Sequence, residues 1–188
     1  MKLLWTGSDV LFATKFLKHS KKSKWIYMAG MHVFARLADL FVQEHYIVSE
    51  HLRPELAPLK LKKKITVLID PPKYTEKFKK KPHEGFNVLY YRAIGSNQRF
   101  KDWVYGYDIY MSLKELMPEL NYIETTGMQD MTKIYPIVDF YVRPNRHDGA
   151  PRMIMECETN DIPYYWSKEN PDLNQIYDTL QKAQAKIR

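Results

Sequence analysis

Asp148 and Glu156 stand eight positions apart in RPNRHDGAPRMIMECETNDIP, the stretch from Arg143 to Pro163. An ionised carboxylate accepts two hydrogen bonds side by side, so one acid could hold sugar hydroxyls and the other the cis diol of a ribose. DFYVRP reads as a strand, and Pro151 suits the start of the helix PRMIMECET. The pair therefore brackets a strand-to-helix turn. In a parallel α/β sheet, ligands lie outside the carboxyl ends of the strands. The unpaired N–H groups of a helix start would suit a phosphate or a sugar oxygen, and Gly149 permits close approach to the backbone. Taken singly, Asp148 would be an N-cap worth about 1 kcal/mol and Glu156 a solvated helix residue. Their joint spacing is what points to a ligand.

The elements that must position these acids can be read outward along the chain. KLLWT is expected as a first strand, with Gly7, Ser8 and Asp9 forming the turn after it. Val10 to Leu17 reads as a short helix, Lys18 to Lys24 as a basic turn and WIYMA (25–29) as a second strand. HVFARLADLFVQE has apolar residues at helical spacing. YIVS is a strand, and Ser49 caps a brief helix, EHLRPEL. ITVLI is a buried strand halted by Asp70-Pro71-Pro72. Residues 74–85 are charged and aperiodic, and are expected to be a linker. Beyond them FNVLYY, NYIETT, DFYVRP and IPYYW read as strands and GSNQRFKDW as a loop. YDIYMSLKELMPEL, PRMIMECET and PDLNQIYDTLQKAQAKI read as helices, with a short helix or turn at MTKIYPIV. Strands alternating with helices in this way imply βαβ units and parallel sheets. The expected organisation is a domain over residues 1–73, the linker 74–85 and a second domain over 86–188.

With 45% hydrophobic residues among 188, the chain can bury a core, which excludes bulk disorder. Its 29 Lys and Arg against 22 Asp and Glu give a net charge of +7, which favours anionic partners. The single cysteine, Cys157, excludes an internal disulfide and a cysteine-rich zinc site, and a reducing, cytoplasmic compartment is expected. The six histidines show no metal-ligand spacing. No apolar run approaches the ~20 residues of a membrane span. The lysine clusters KKSK, KLKKK and FKKKP lack the interleaved aromatics of a nucleic-acid stacking platform. They better suit a membrane surface carrying the acceptor, to which each lysine can add ~1 kcal/mol, or simply solvated loops.

HDGAPRMIMECETNDIP resembles the sugar-nucleotide motif of the GT-B glycosyltransferases, specifically the retaining group called glycosyltransferase family 4. That pattern is an acid, a glycine, a proline shortly after, an apolar segment ending in glutamate, and a small-residue turn before the next strand. The first acid here is Asp148, where glutamate is commoner, and Asp161 stands where the family usually has glycine. YIVSEHLRPEL, ITVLIDPP and NVLYYRAIGSNQRFK are similar to further elements of that family. The resemblance covers Tyr46 to Trp166.

It implies two Rossmann-like parallel-sheet domains, the N-terminal one shortened because only 85 residues precede the donor-like half. A nucleotide sugar (UDP-, GDP- or ADP-linked) would lie in the cleft between them and pass its sugar to an acceptor with retention. Glu156 would hold the ribose. Asp148, with the N–H groups of Gly149 and Ala150, would hold the sugar hydroxyls, and His147 could touch the sugar. Arg92 and Lys101, or Arg99 in place of either, would neutralise the departing diphosphate. Gly7, Ser8 and Asp9 are the acceptor-side candidates. No metal or other cofactor is expected, and the sequence contains no Asp-x-Asp triplet. A homodimer is one way to complete a short N-terminal half. Two other readings stay open: a module of the same fold that binds a sugar nucleotide or a protein without turnover, and a basic nucleic-acid-binding α/β domain.

Overall fold

The crossover between two adjacent parallel strands needs a long connection, usually helical, and the first such connection here includes a 20-residue helix. The computed structural model describes residues 2–5, 22–50, 52–68, 72–126, 128–149, 151–167 and 170–187. The chain divides into two units, Met1–Pro71 with Asp148–Ala150, and Pro72–His147 with Pro151–Arg188.

In the first unit β1 (Lys2–Trp5) precedes α1 (Lys22–Phe41), β2 (Glu44–Ile47), α2 (Leu52–Glu55) and β3 (Ile65–Val67). The sheet order is β1-β2-β3, parallel throughout, with Trp5 opposite Ile47 and His45 opposite Ile65. The strand expected at 25–29 is absent, because these residues lie inside α1. The local β preference of Trp, Ile and Tyr yields to cooperative extension of a helix rich in Ala, Met and Leu. Trp5, Ala35, Ile47, Leu52, Leu56 and Leu59 form the core. A polar chain runs beside it. Trp5 Nε1 donates to His45 Nδ1 at 3.1 Å, and His45 Nε2 lies 2.8 Å from Asp39 Oδ1. Indole N–H is only a donor, so Nδ1 accepts and Nε2 carries the proton given to Asp39. Asp39 also accepts from the Lys62 and Lys63 N–H groups at 2.8 and 3.1 Å.

The second unit contains β4 (Asn87–Tyr91), α3 (Gln98–Val104), α4 (Tyr107–Leu116), β5 (Asn121–Thr125), α5 (Met131–Ile134), β6 (Phe140–Arg143), α6 (Arg152–Thr159), β7 (Tyr164–Trp166) and α7 (Leu173–Ile187). Its strands are all parallel, in the order β5-β4-β6-β7. Side chains alternate between faces. Val88, Tyr90, Phe140, Val142 and Tyr165 meet Tyr110 and Leu113 of α4 and Ile176 and Leu180 of α7. Leu89 and Tyr141 meet Met131, Tyr135, Ile154 and Cys157 on the other face. Both faces are covered, which is why these strands read as continuous apolar runs.

Three details differ from the sequence expectation or refine it. Gln98–Val104, expected within a loop, is helical and is entered through Asn97 at φ 62°. Residues 74–85 form no helix or strand, yet they are packed down: Phe78 N–H donates to Asn160 Oδ1 at 2.8 Å, and Lys81 N–H to Pro136 O at 2.9 Å. The end of α6 is a Schellman cap, with Ile162 N–H bonded to Cys157 O and Asp161 N–H to Glu158 O. Asp161 sits at φ 51°, the left-handed conformation that glycine would adopt and that aspartate tolerates. No described helix is long and apolar enough to cross a membrane.

Candidate functional site

From β4 the chain steps to β5 on one side, then returns to place β6 on the other. The carboxyl ends of β4 and β6 therefore flank a topological switch point, where open α/β sheets bind ligands. Tyr91, Arg92 and Ala93 leave β4 there, and Arg143, Pro144 and Asn145 leave β6.

Arg143 is buried. Its Nη1 donates to the Tyr141 hydroxyl at 3.0 Å, and its guanidinium carbon lies 5.9 and 5.6 Å from the Tyr91 and Tyr105 ring centroids. Such rings stabilise a desolvated cation. Asn145 is 1% exposed, and its Nδ2 meets no acceptor among the described residues. A buried amide donor left unpaired costs free energy, so this position suits a ligand oxygen. Gly106, at φ 66°, lets the turn between α3 and α4 press on β6's exit. A Cβ there would fall 2.0 Å from Pro144 O. Arg146 fixes the same corner with a bidentate pair to Asp108 at 2.7 and 2.6 Å, which holds the Asp108 carboxyl below its usual range.

The sequence candidates fall out differently. Glu156, on α6, is 3% exposed; its Oε1 accepts from Lys73 N–H at 3.0 Å and its Oε2 from the Tyr135 hydroxyl at 2.5 Å. Tyr135 is packed against the rings of Phe78 and Tyr74. Burial first, then the bond to Glu156, pushes the Tyr135 phenol well above its ordinary range. Neighbouring Cys157 is buried too, and desolvation raises its thiol, so it is no nucleophile. His147 and Asp148 are buried, and Gly149 N–H donates to Asp148 Oδ1 at 3.0 Å. Asp148 and Glu156 belong to different units. Ala150, Gly7, Ser8 and Asp9 lie outside the described residues.

Arg92 is committed to carboxylates. It pairs with Asp102 through Nε and Nη2 at 3.1 and 3.2 Å, reaches Glu124 at 3.5 Å, and lies 3.9 Å over the Tyr107 ring. Its bond to Asp102 raises its already high pKa. Burial would raise the Asp102 carboxyl, but Arg92 and Gln98 hold it below the usual value. Lys101 Nζ donates to Ile94 O at 2.8 Å, closing over the Gly95 turn, and Arg99 is exposed on α3. Sequence reading passed over Arg143, Asn145, Tyr135 and Lys73. The first two flank Pro144 at a strand exit, a signal available in DFYVRPN, whereas Tyr135 and Lys73 reach Glu156 only through the fold.

No protein-family model and no curated protein sequence matches the chain. Among solved structures, 26 chains match. Two of them are the GtfA/B complex (TM-score 0.50, 12% identity, 84% of this chain and 41% of that one) and TarM (TM-score 0.61, 10% identity, 99% and 44%). The chain thus spans less than half the length of either. Both are GT-B glycosyltransferases, and the chain shares their α/β fold with parallel sheets.

Proposed function

We propose that the chain is a GT-B glycosyltransferase of the family 4 type. It takes a UDP-, GDP- or ADP-linked sugar and transfers that sugar to an acceptor, with retention and without a metal. The observation that carries this reading is the Asp148–Gly149–Pro151–Glu156 spacing, which starts a few residues beyond the exit of β6 at the switch point of a parallel sheet. The likeness in fold supports the reaction class.

In this reading the anomeric C–O bond to the diphosphate breaks, the diphosphate leaving with the electron pair, while an acceptor hydroxyl forms the new C–O bond and gives its proton to the departing phosphate oxygen. The leaving charge is what the site must stabilise. Lys101 and Arg99 meet the diphosphate, while Arg92 anchors α3 beneath them through Asp102. Asp148, with the N–H groups of Gly149 and Ala150, holds the sugar hydroxyls, and His147 lies beside it in sequence. Glu156 takes the ribose diol. An ionised carboxylate offers about four acceptor positions, so it has capacity beyond Tyr135 and the Lys73 N–H. Gly7, Ser8 and Asp9 are the acceptor-side candidates. Incubating the purified chain with each nucleotide sugar, and assaying for free nucleoside diphosphate and transferred sugar, tests the activity.

One observation favours a second reading. Both oxygens of Glu156 are already bonded inside the fold, which suits a module that binds a sugar nucleotide or a protein without turnover. Binding without release of nucleoside diphosphate would select it.

A further inference from the structure

The side-chain amide of Asn145 is a hydrogen-bond donor that the fold leaves over. The residue is 1% exposed, and Nδ2 meets no acceptor among the described residues. The backbone is held on either side, which limits how far the amide can move toward a partner. Before it, Pro144 O lies so close to Gly106 that a Cβ there would fall at 2.0 Å. After it, Arg146 N–H donates to Val104 O at 2.8 Å. The Arg146 side chain is in turn held by Trp103 O at 2.8 Å and by both oxygens of Asp108. An orphaned buried donor lowers stability, and native folds keep such groups chiefly where a function uses them.

Its place says what it would meet. All of these residues lie within the second unit. Strand β6 pairs with β4, Val142 opposite Tyr90, so Asn145 leaves the sheet beside the turn Arg92–Gly95, at the switch point. Lys101, on α3, closes over that turn through Ile94 O at 2.8 Å, and Arg99 is exposed on the same helix. Arg143, two residues before Asn145, is a buried cation. Of the acids that the second unit brings to this corner, Asp102 and Asp108 are each paired with an arginine. A neutral donor among cations suits an anionic oxygen, to which its bond is shorter and stronger than to a neutral one.

We propose that Asn145 binds the nucleotide sugar through its diphosphate, Nδ2 donating to a phosphoryl oxygen. The inference rests on the glycosyl-transfer reading and adds to its site a neutral residue that motif spacing does not nominate. It separates two roles by their signs. Loss of an asparagine that holds the fold together lowers stability. Loss of this one relieves the free protein of an unpaired donor and harms only the complex.

The test compares the wild type with Asn145→Leu, which keeps the branched skeleton without the donor, and with Asn145→Asp, which keeps the shape but offers only acceptors when ionised. Thermal midpoints are read without nucleotide. Affinities are read by calorimetric titration of UDP, GDP and ADP, and of the matching nucleotide sugars. Asn145→Leu is expected to hold the midpoint or raise it by up to about 4 °C. It is expected to weaken the bare diphosphates and the nucleotide sugars alike, by about tenfold to a hundredfold. Asn145→Asp is expected to weaken both at least as much, by repulsion. A midpoint several degrees lower in Asn145→Leu would overturn the proposal. So would wild-type affinity in that variant, a loss confined to the nucleotide sugars, or undiminished binding by Asn145→Asp. A wild type that binds none of these nucleotides overturns the glycosyl-transfer reading, and this inference with it.

Discussion

The Tyr135 hydroxyl donates to Oε2 of Glu156 at 2.5 Å, tying the turn after α5 to the middle of α6 across 21 residues. With Lys73 N–H on the other oxygen, this carboxylate is held by donors before any ligand arrives. Tyr135→Phe leaves Oε2 buried without its donor, an expected cost of about 1–3 kcal/mol. Urea unfolding checks it through a lower midpoint at unchanged slope.

Stability falls in alkali. Burial raises the phenols of Tyr90, Tyr110, Tyr122 and Tyr135, and the Tyr164 hydroxyl is pushed up to about 12, chiefly by its bond to Glu158. Unfolded tyrosines lose their protons near pH 10, so above that pH the unfolded chain binds fewer protons than the folded one. The contribution is complete below about pH 10 and shrinks as pH rises through the folded values. A urea midpoint that stays level between about pH 8 and 9 and drops steadily above about pH 10 is the expected record.

Gly106→Ala tests the corner over β6's exit. The substitution forces alanine to φ 66° and sets its Cβ 2.0 Å from Pro144 O. The expected loss is at least about 2 kcal/mol, from the left-handed backbone and the overlap together. Differential scanning calorimetry reads it as a lower thermal midpoint.

Much of the second unit was legible in the sequence because its physics is local. Short apolar runs and flanking turn formers marked β4, β5, β6 and β7 to within a residue or two. The first unit was harder. WIYMA has the composition of a strand, and only the length of the crossover makes it helix. The candidate acids could be found from spacing alone, but their surroundings could not. Nothing in the sequence links Glu156 to Lys73, 83 positions away, or shows that Arg92 is consumed by Asp102. Asp161 was visible as a departure from the resembled pattern. Its φ of 51° explains why the departure is tolerated.

The nominated cations separate by their partners. Arg92→Ala breaks a two-point ion pair with Asp102 and is expected to cost about 1–2 kcal/mol of stability. Lys101→Ala and Arg99→Ala leave stability within about 0.5 kcal/mol and weaken sugar-nucleotide binding instead. Chemical unfolding and calorimetric titration on the same three variants make the comparison.

The most direct measurement is calorimetric titration of UDP-, GDP- and ADP-linked sugars into the wild type and into Glu156→Gln, a change that keeps the side chain's shape. The account predicts saturable binding of at least one donor to the wild type, and affinity about tenfold or more weaker in the variant, since a hydrogen bond to a charged group is worth about 1.5–3 kcal/mol. Absence of binding for all three donors, or equal affinity in the two proteins, would contradict it.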